Sequence, residues 1–130
     1  MQSDDRQLLP AEDLRYLEEK AFDFEVHNVS GELLVVIHHF ALPAAYNPRE
    51  CDLLVRLPVG YPNANPDMYW TRPDVQLAGG GTPRAAEHRE PYLGTSWQRW
   101  SRHFPGGWRP GIDGLRSYLA AVRHDLEKGT

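Results

Sequence analysis

Cysteine is almost missing: Cys51 is the only one in 130 residues. That excludes an internal disulfide framework and suits a reducing compartment. Long apolar runs are missing as well, so neither a signal peptide nor a membrane span is expected, and a cytoplasmic location is. Lysine is scarce: of the 14 basic residues only Lys20 and Lys128 are lysines, and the others are arginines, which suit planar recognition of carboxylates. A net charge of −4 carries no electrostatic footprint for nucleic acid. Internal repeats are absent, and Gly79, Gly80 and Gly81 are not followed by the Gly-Lys-Ser/Thr of a phosphate loop. A nucleophile elbow and paired carboxylates are also missing, which argues against a hydrolase or other small-molecule enzyme on an unrelated α+β fold. There are six histidines but no ligand set. His38 and His39 are adjacent on an expected strand and so point to opposite faces, and His88 and His103 have no partner at ligand spacing. No metal or other cofactor is expected, and whichever of His38 and His39 faces inward is expected to be a satisfied core histidine.

What remains has an ordinary globular balance, 41% hydrophobic and 25% charged, enough for one domain with a real core. The chain is organised around Leu57 to Pro66, LPVGYPNANP, whose three prolines make a stiff, extended exit from a strand. Residues 1–9 are expected to be a polar, frayed N-terminus and 10–130 the domain. Pro10, with Glu12 and Asp13 behind it, starts a helix over 10–20. Phe22, Phe24 and Val26 alternate with polar residues, the period of a half-buried strand. Glu32 to Phe40 and Cys51 to Leu57 are nearly continuous in apolar character, as in central strands. Met68 to Thr71 reads as a short fourth strand. From Gly79 a long irregular segment is predicted, ending in the aromatic cluster Trp97, Trp100, Phe104 and Trp108. Ile112, Leu115, Tyr118, Leu119, Val122 and Leu126 recur at helical spacing, so a closing helix is predicted over 112–128. The fold class is α+β: an N-terminal helix, a four-stranded antiparallel meander, the irregular segment and a C-terminal helix.

In this order the chain resembles the ubiquitin-conjugating enzyme (UBC) superfamily. Tyr61-Pro62, Pro66 and the strand Met68-Tyr69-Trp70-Thr71 match the family's Tyr-Pro exit and fourth strand, and Trp108-Arg109-Pro110 matches the Trp-x-Pro before its next helix. The likeness is greatest to prokaryotic family E, similar to components of bacterial ubiquitin-like conjugation operons. It implies a ubiquitin-like protein and its activating enzyme as partners, with no nucleic acid and no membrane. A setting in antiphage defence rests on the resemblance alone. Two departures stand out. The family's His-Pro-Asn motif is missing, and so is the catalytic cysteine, since Cys51 lies at the start of the third strand. Counting back from Trp108 by the family's spacing puts Ser101 at the nucleophile's place.

Serine in that place implies an oxyester where the family forms a thioester. A serine needs an adjacent base, and His103, two residues on, has the right pKa range. The expectation is a Ser101–His103 acyl-transfer site, with Arg102, Trp97 and Trp100 binding the incoming C-terminus. Thr95 and Ser96 are the alternatives under a small shift of alignment. The contrasting expectation is a catalytically silent UBC-like variant that binds a ubiquitin-like protein or activating enzyme noncovalently. Ser101 is then a loop hydroxyl, His103 a surface residue, and the tryptophans core packing. Arg84, Arg89, Arg99 and Arg102 form either a basic rim or, with Glu87 and Glu90, a mixed solvated face.

Overall fold

The computed structural model describes residues 4–104 and 106–128. Helix α1 spans Ala11–Glu19, following Pro10 and carrying Glu12 and Asp13 in its first turn. Strands β1 (Asp23–Val29), β2 (Glu32–Ala41) and β4 (Glu50–Leu57) follow, with the short β3 (Tyr46–Asn47) between the last two. Then come β5 (Tyr69–Arg72), β6 (Gln76–Leu77), β7 (His88–Tyr92), β8 (Thr95–Trp100) and helix α2 (Leu115–Lys128). One antiparallel sheet has the order β1-β2-β4-β5-β8-β7, and β3 pairs with β6 beside it. The fold is α+β with a mostly antiparallel sheet. No described helix is long and apolar enough to cross a membrane.

The four strands read from the sequence are consecutive neighbours in this sheet, but they are not all of it. The stretch expected to be irregular folds into the hairpin β7–β8, which extends the sheet beyond β5. Leu93 and Gly94 turn that hairpin with φ of 52° and 80°, the two positive values of a tight two-residue connection. The closing helix starts at Leu115 and not near residue 112. Residues 109–113 form a turn of their own, with Asp113 accepting from the Arg109 backbone N–H at 2.8 Å and Ile112 left 70% exposed. Neither His38 nor His39 enters the core. A bulge between Ile37 and Phe40 sends both of those apolar residues to the same face, and His39 takes a φ of 56° and points to solvent. Of the stretch 1–9, residues 1–3 lie outside the described residues. Arg6–Leu8 form a 3₁₀ turn, the Asp5 N–H donates to the Val26 carbonyl, and Leu9 is buried.

Both helices pack on one face of the sheet. There Leu17 of α1 and Leu115, Leu119, Val122 and Leu126 of α2 join Val35, Ile37, Leu53, Val55, Tyr69 and Trp100 in the main core. The opposite face has a smaller core of Leu34, Val36, Leu54, Trp70 and Trp97. No described helix covers it. Instead the Arg56 and Arg72 guanidinium groups lie over the Trp70 and Trp97 rings, 4.9 and 4.3 Å from the ring centres.

Candidate active site

The end of β8 carries the residues the sequence singled out. Trp100 is fully buried, its ring stacked on Tyr69 at 5.4 Å and its Nε1 donating to Thr71 Oγ1 at 2.8 Å. The Arg102 N–H then reaches back to the Trp100 carbonyl at 2.8 Å, closing a three-residue turn with Ser101 at its apex. The Ser101 N–H donates to the Ala85 carbonyl at 2.9 Å, which ties this turn to the segment before β7. Side chains alternate from here: Arg102 is buried, while Ser101 is half-buried and His103 exposed.

Arg102 has all three kinds of guanidinium nitrogen engaged. Nε and Nη2 donate to the Arg84 carbonyl at 3.1 and 3.0 Å, and Nη1 donates to Asp125 of α2 at 3.0 Å. With 2% of its surface exposed, it is a clamp between two segments and offers nothing to a ligand in this conformation. Trp97 and Trp100 are likewise fully buried, one in each core. All three are buried supports of β8 and of the turn after it. Gln98, between the tryptophans, has the same supporting role. Its amide accepts from Thr71 Oγ1 and the Val75 N–H and donates to the Val75 and Ala86 carbonyls, at 2.7–3.1 Å.

Ser101 is half-buried and His103 exposed, and no hydrogen bond joins them. Ser101 Oγ accepts from Arg99 Nε at 2.9 Å. His103 Nδ1 donates to Asp67 Oδ1 at 2.7 Å. With Nδ1 carrying the proton, the neutral ring presents Nε2 as an acceptor, the tautomer a general base needs. Asp67 follows Pro66 of the strand exit and was not picked out in the sequence. It lies 36 residues from His103, so no local pattern links the two. Phe104, which follows His103, lines a groove of about 210 Å³ that opens to solvent, together with Pro66, Gly107, Trp108 and Tyr118; neither Ser101 nor His103 lines it. Phe104 and Tyr118 meet edge to face at 5.4 Å, and Trp108 Nε1 donates to the Pro62 carbonyl at 2.7 Å. A larger cavity, about 590 Å³, lies elsewhere, between α1 and the turn before α2.

Thr95 and Ser96 sit at the hairpin end of β8, about 15–20 Å up the strand from Ser101 at the usual rise per residue. Cys51 is 4% exposed in the main core, and burial, with Asp52 and Glu50 nearby, pushes its thiol up to about 12. A thiol in that state is not a nucleophile at neutral pH. The arginines do not form a bare basic rim. Arg89 pairs with Asp74 at 2.8 Å, Arg99 with Glu90 at 3.2 Å, and Arg102 with Asp125. Among the described residues, no three His, Cys, Asp or Glu side chains cluster as metal ligands.

An N-terminal helix, an antiparallel sheet left through a Tyr-Pro exit, and a Trp-x-Pro turn leading into a closing helix define a protein of the E2, or ubiquitin-conjugating, type. The chain belongs to prokaryotic E2 family E, whose family model matches residues 9–129. It is thus a UBC-like protein of a conjugation pathway, a class that works with ubiquitin-like proteins and their activating enzymes. No curated protein and no solved structure gave a significant match to the chain.

Proposed function

We propose that this protein accepts the activated C-terminus of a ubiquitin-like protein as an oxyester on Ser101, with His103 as the base. The observation that carries the reading is the Asp67–His103 hydrogen bond, which fixes the Nδ1 proton and leaves Nε2 without a hydrogen-bond partner among the described residues. In the reaction the Ser101 Oγ attacks the carbonyl carbon of a thioester on the activating enzyme, and its proton passes to His103 Nε2. Collapse of the tetrahedral intermediate breaks the C–S bond, and the departing thiolate takes that proton. Later an amine attacks the ester carbonyl, the C–O bond breaks, and the Ser101 oxygen is reprotonated. The groove beside Phe104 and Trp108 is shallow and open, a shape suited to an extended chain terminus rather than to an enclosed small molecule.

A second reading has its own support. Ser101 Oγ is held by Arg99 and not by His103, and the only thiol is inert, as in a subunit that binds its partner noncovalently. A synthetic peptide α-thioester, as a model acyl donor, separates the two. Oxyester transfer gives an intact-mass adduct that survives dithiothreitol, is released by hydroxylamine, disappears in Ser101→Ala and persists in Cys51→Ala. Absence of any adduct, with measurable binding of the ubiquitin-like partner, establishes the noncovalent reading in its place.

A further inference from the structure

We infer that Arg99 is a catalytic residue of this site: it holds the Ser101 oxygen and stabilises the negative charge that develops on the acyl oxygen. The inference rests on the acyl-transfer reading of Ser101. Arg99 is the penultimate residue of β8 and Ser101 follows the strand's end, and their side chains meet directly. The Arg99 guanidinium is fixed from behind. Nη1 donates to Glu90 Oε2 at 3.2 Å, and the other Glu90 oxygen accepts from Trp70 Nε1 at 2.8 Å. Trp70 is fully buried and Arg99 half-buried, so the orientation is set by the sheet and not by solvent. From that anchor Nε donates to Ser101 Oγ at 2.9 Å. Nη2 makes no hydrogen bond among the described residues.

A guanidinium keeps its proton at any working pH, so Arg99 is a donor and never the base. Occupying one lone pair of Oγ, it leaves the hydroxyl proton to point away from the guanidinium. When the C–O bond forms, the carbonyl π pair moves onto the acyl oxygen. A preorganised donor beside the nucleophile is the device that stabilises such a charge. Arg99 has the unused Nη2–H for it. Arg102, the neighbouring cation, does not, because its donors are committed to the Arg84 carbonyl and Asp125.

The test is the rate of acylation by the peptide α-thioester, followed by intact mass from pH 6 to 9 over a range of donor concentrations. Wild type is compared with Arg99→Gln, Arg99→Lys and Glu90→Gln, each checked for native folding by circular dichroism. Arg99→Gln is expected to lower the maximal rate roughly 10²-fold with little change in the half-saturating concentration, the pattern of a donor used in the transition state. Arg99→Lys, which keeps the charge, is expected between the two. Glu90→Gln keeps an acceptor for Trp70 and loosens the guanidinium, so it is expected to slow acylation less than Arg99→Gln does. It also serves if Arg99→Gln does not fold. Acylation of wild type at Ser101, with both Arg99→Gln and Glu90→Gln within roughly threefold of it, overturns the role of Arg99 and leaves Ser101 standing. No acylation of wild type overturns the reading of Ser101 itself, and the role of Arg99 with it.

Discussion

Asp13 joins the two helices. Its carboxylate, 6% exposed, accepts from the Tyr61 hydroxyl at 2.7 Å and from the Leu115 backbone N–H, the first of α2, at 3.0 Å. It therefore caps a helix far away in sequence, on top of its own place in the first turn of α1. Replacing it with alanine removes the cap, worth about 1 kcal/mol. It also leaves a half-buried phenol without its acceptor, at a cost of about 1–3 kcal/mol. Together the loss is roughly 2–4 kcal/mol. Gly114 supplies the diagnostic. A Cβ at that position would sit 2.7 Å from the Asp13 Oδ1, so Gly114→Ala must displace the carboxylate and is expected to cost about 1–2 kcal/mol. In the Asp13→Ala background nothing is left to displace. There the same change is expected to be neutral or to stabilise by about 0.4–1 kcal/mol, as glycine to alanine does at a compatible backbone position. A double-mutant cycle read by urea unfolding and tryptophan fluorescence should then show a coupling of about 2 kcal/mol. Additivity of the two changes to within about 0.5 kcal/mol would refute the cap.

Three further outcomes follow from other parts of the structure. His38 donates to Glu25 at 2.7 Å and to Asp52 at 2.9 Å, and Arg72 donates to Asp52 at 2.9 Å. Burial alone would lower the His38 pKa, but the bonds to Asp52 and Glu25 outweigh it and hold the pKa above the usual 6.5. The bond from His27, opposed by burial and helped by His38, holds Glu25 below 4.5. Burial of Asp52 is outweighed by Arg72 and His38, which hold it below 3.8. The histidine contribution to stability is full below its unfolded pKa of 6.5 and fades as pH rises through its higher folded value. The carboxylate contributions are full above their unfolded values and fade as pH falls through the lower folded ones. Denaturant midpoints should therefore decline above pH 6.5, and His38→Gln should flatten that decline; an unchanged slope in the variant contradicts the network. Cys51 should resist iodoacetamide in the native protein at pH 8 and react fully in guanidinium, and rapid native labelling would contradict its burial. Gln98→Leu strips acceptors and donors from the Val75 and Ala86 backbone and should destabilise by about 3 kcal/mol, whereas a loss under about 0.5 kcal/mol would mean that the Gln98 bonds are replaced by water.

The readable part of the fold was the part with a clean local period. β2 and β4 are apolar on both faces because both faces of the sheet carry a core, and the proline-rich exit marked where β4 ends. The β7–β8 hairpin gave no such signal. Its turn uses Leu93 at a positive φ, where Asn-Gly is the recognisable pair, and Pro91 within β7 argues against a strand. In β8, Trp97 and Trp100 stand three apart and face opposite cores, while the buried residue between them on the helix side is the polar Gln98. A reading by hydrophobicity passes over that strand. The bulge at His38–His39 is invisible for a similar reason, since one inserted residue changes every face assignment after it. At the candidate site, Ser101 came from the spacing to Trp108 and His103 from its place two residues on, and the two make separate hydrogen bonds, to Arg99 and to Asp67. Arg102 and the two tryptophans were chosen for chemistry that burial removes from the surface. The contacts of Asp67 with His103 and of Glu90 with Arg99 arise only through strand pairing and loop packing, which bring residues 9 to 36 apart within hydrogen-bonding distance.

The central claim is that Ser101 becomes acylated. The direct measurement combines the protein with its cognate activating enzyme, ATP and the ubiquitin-like partner, then locates any covalent adduct by peptide mass spectrometry. A hydroxylamine-labile, reductant-stable ester is expected on the peptide containing Ser101, abolished by Ser101→Ala and strongly reduced by His103→Ala. An adduct mapped to another residue, or a bound but unmodified partner under conditions in which the activating enzyme is itself charged, contradicts it.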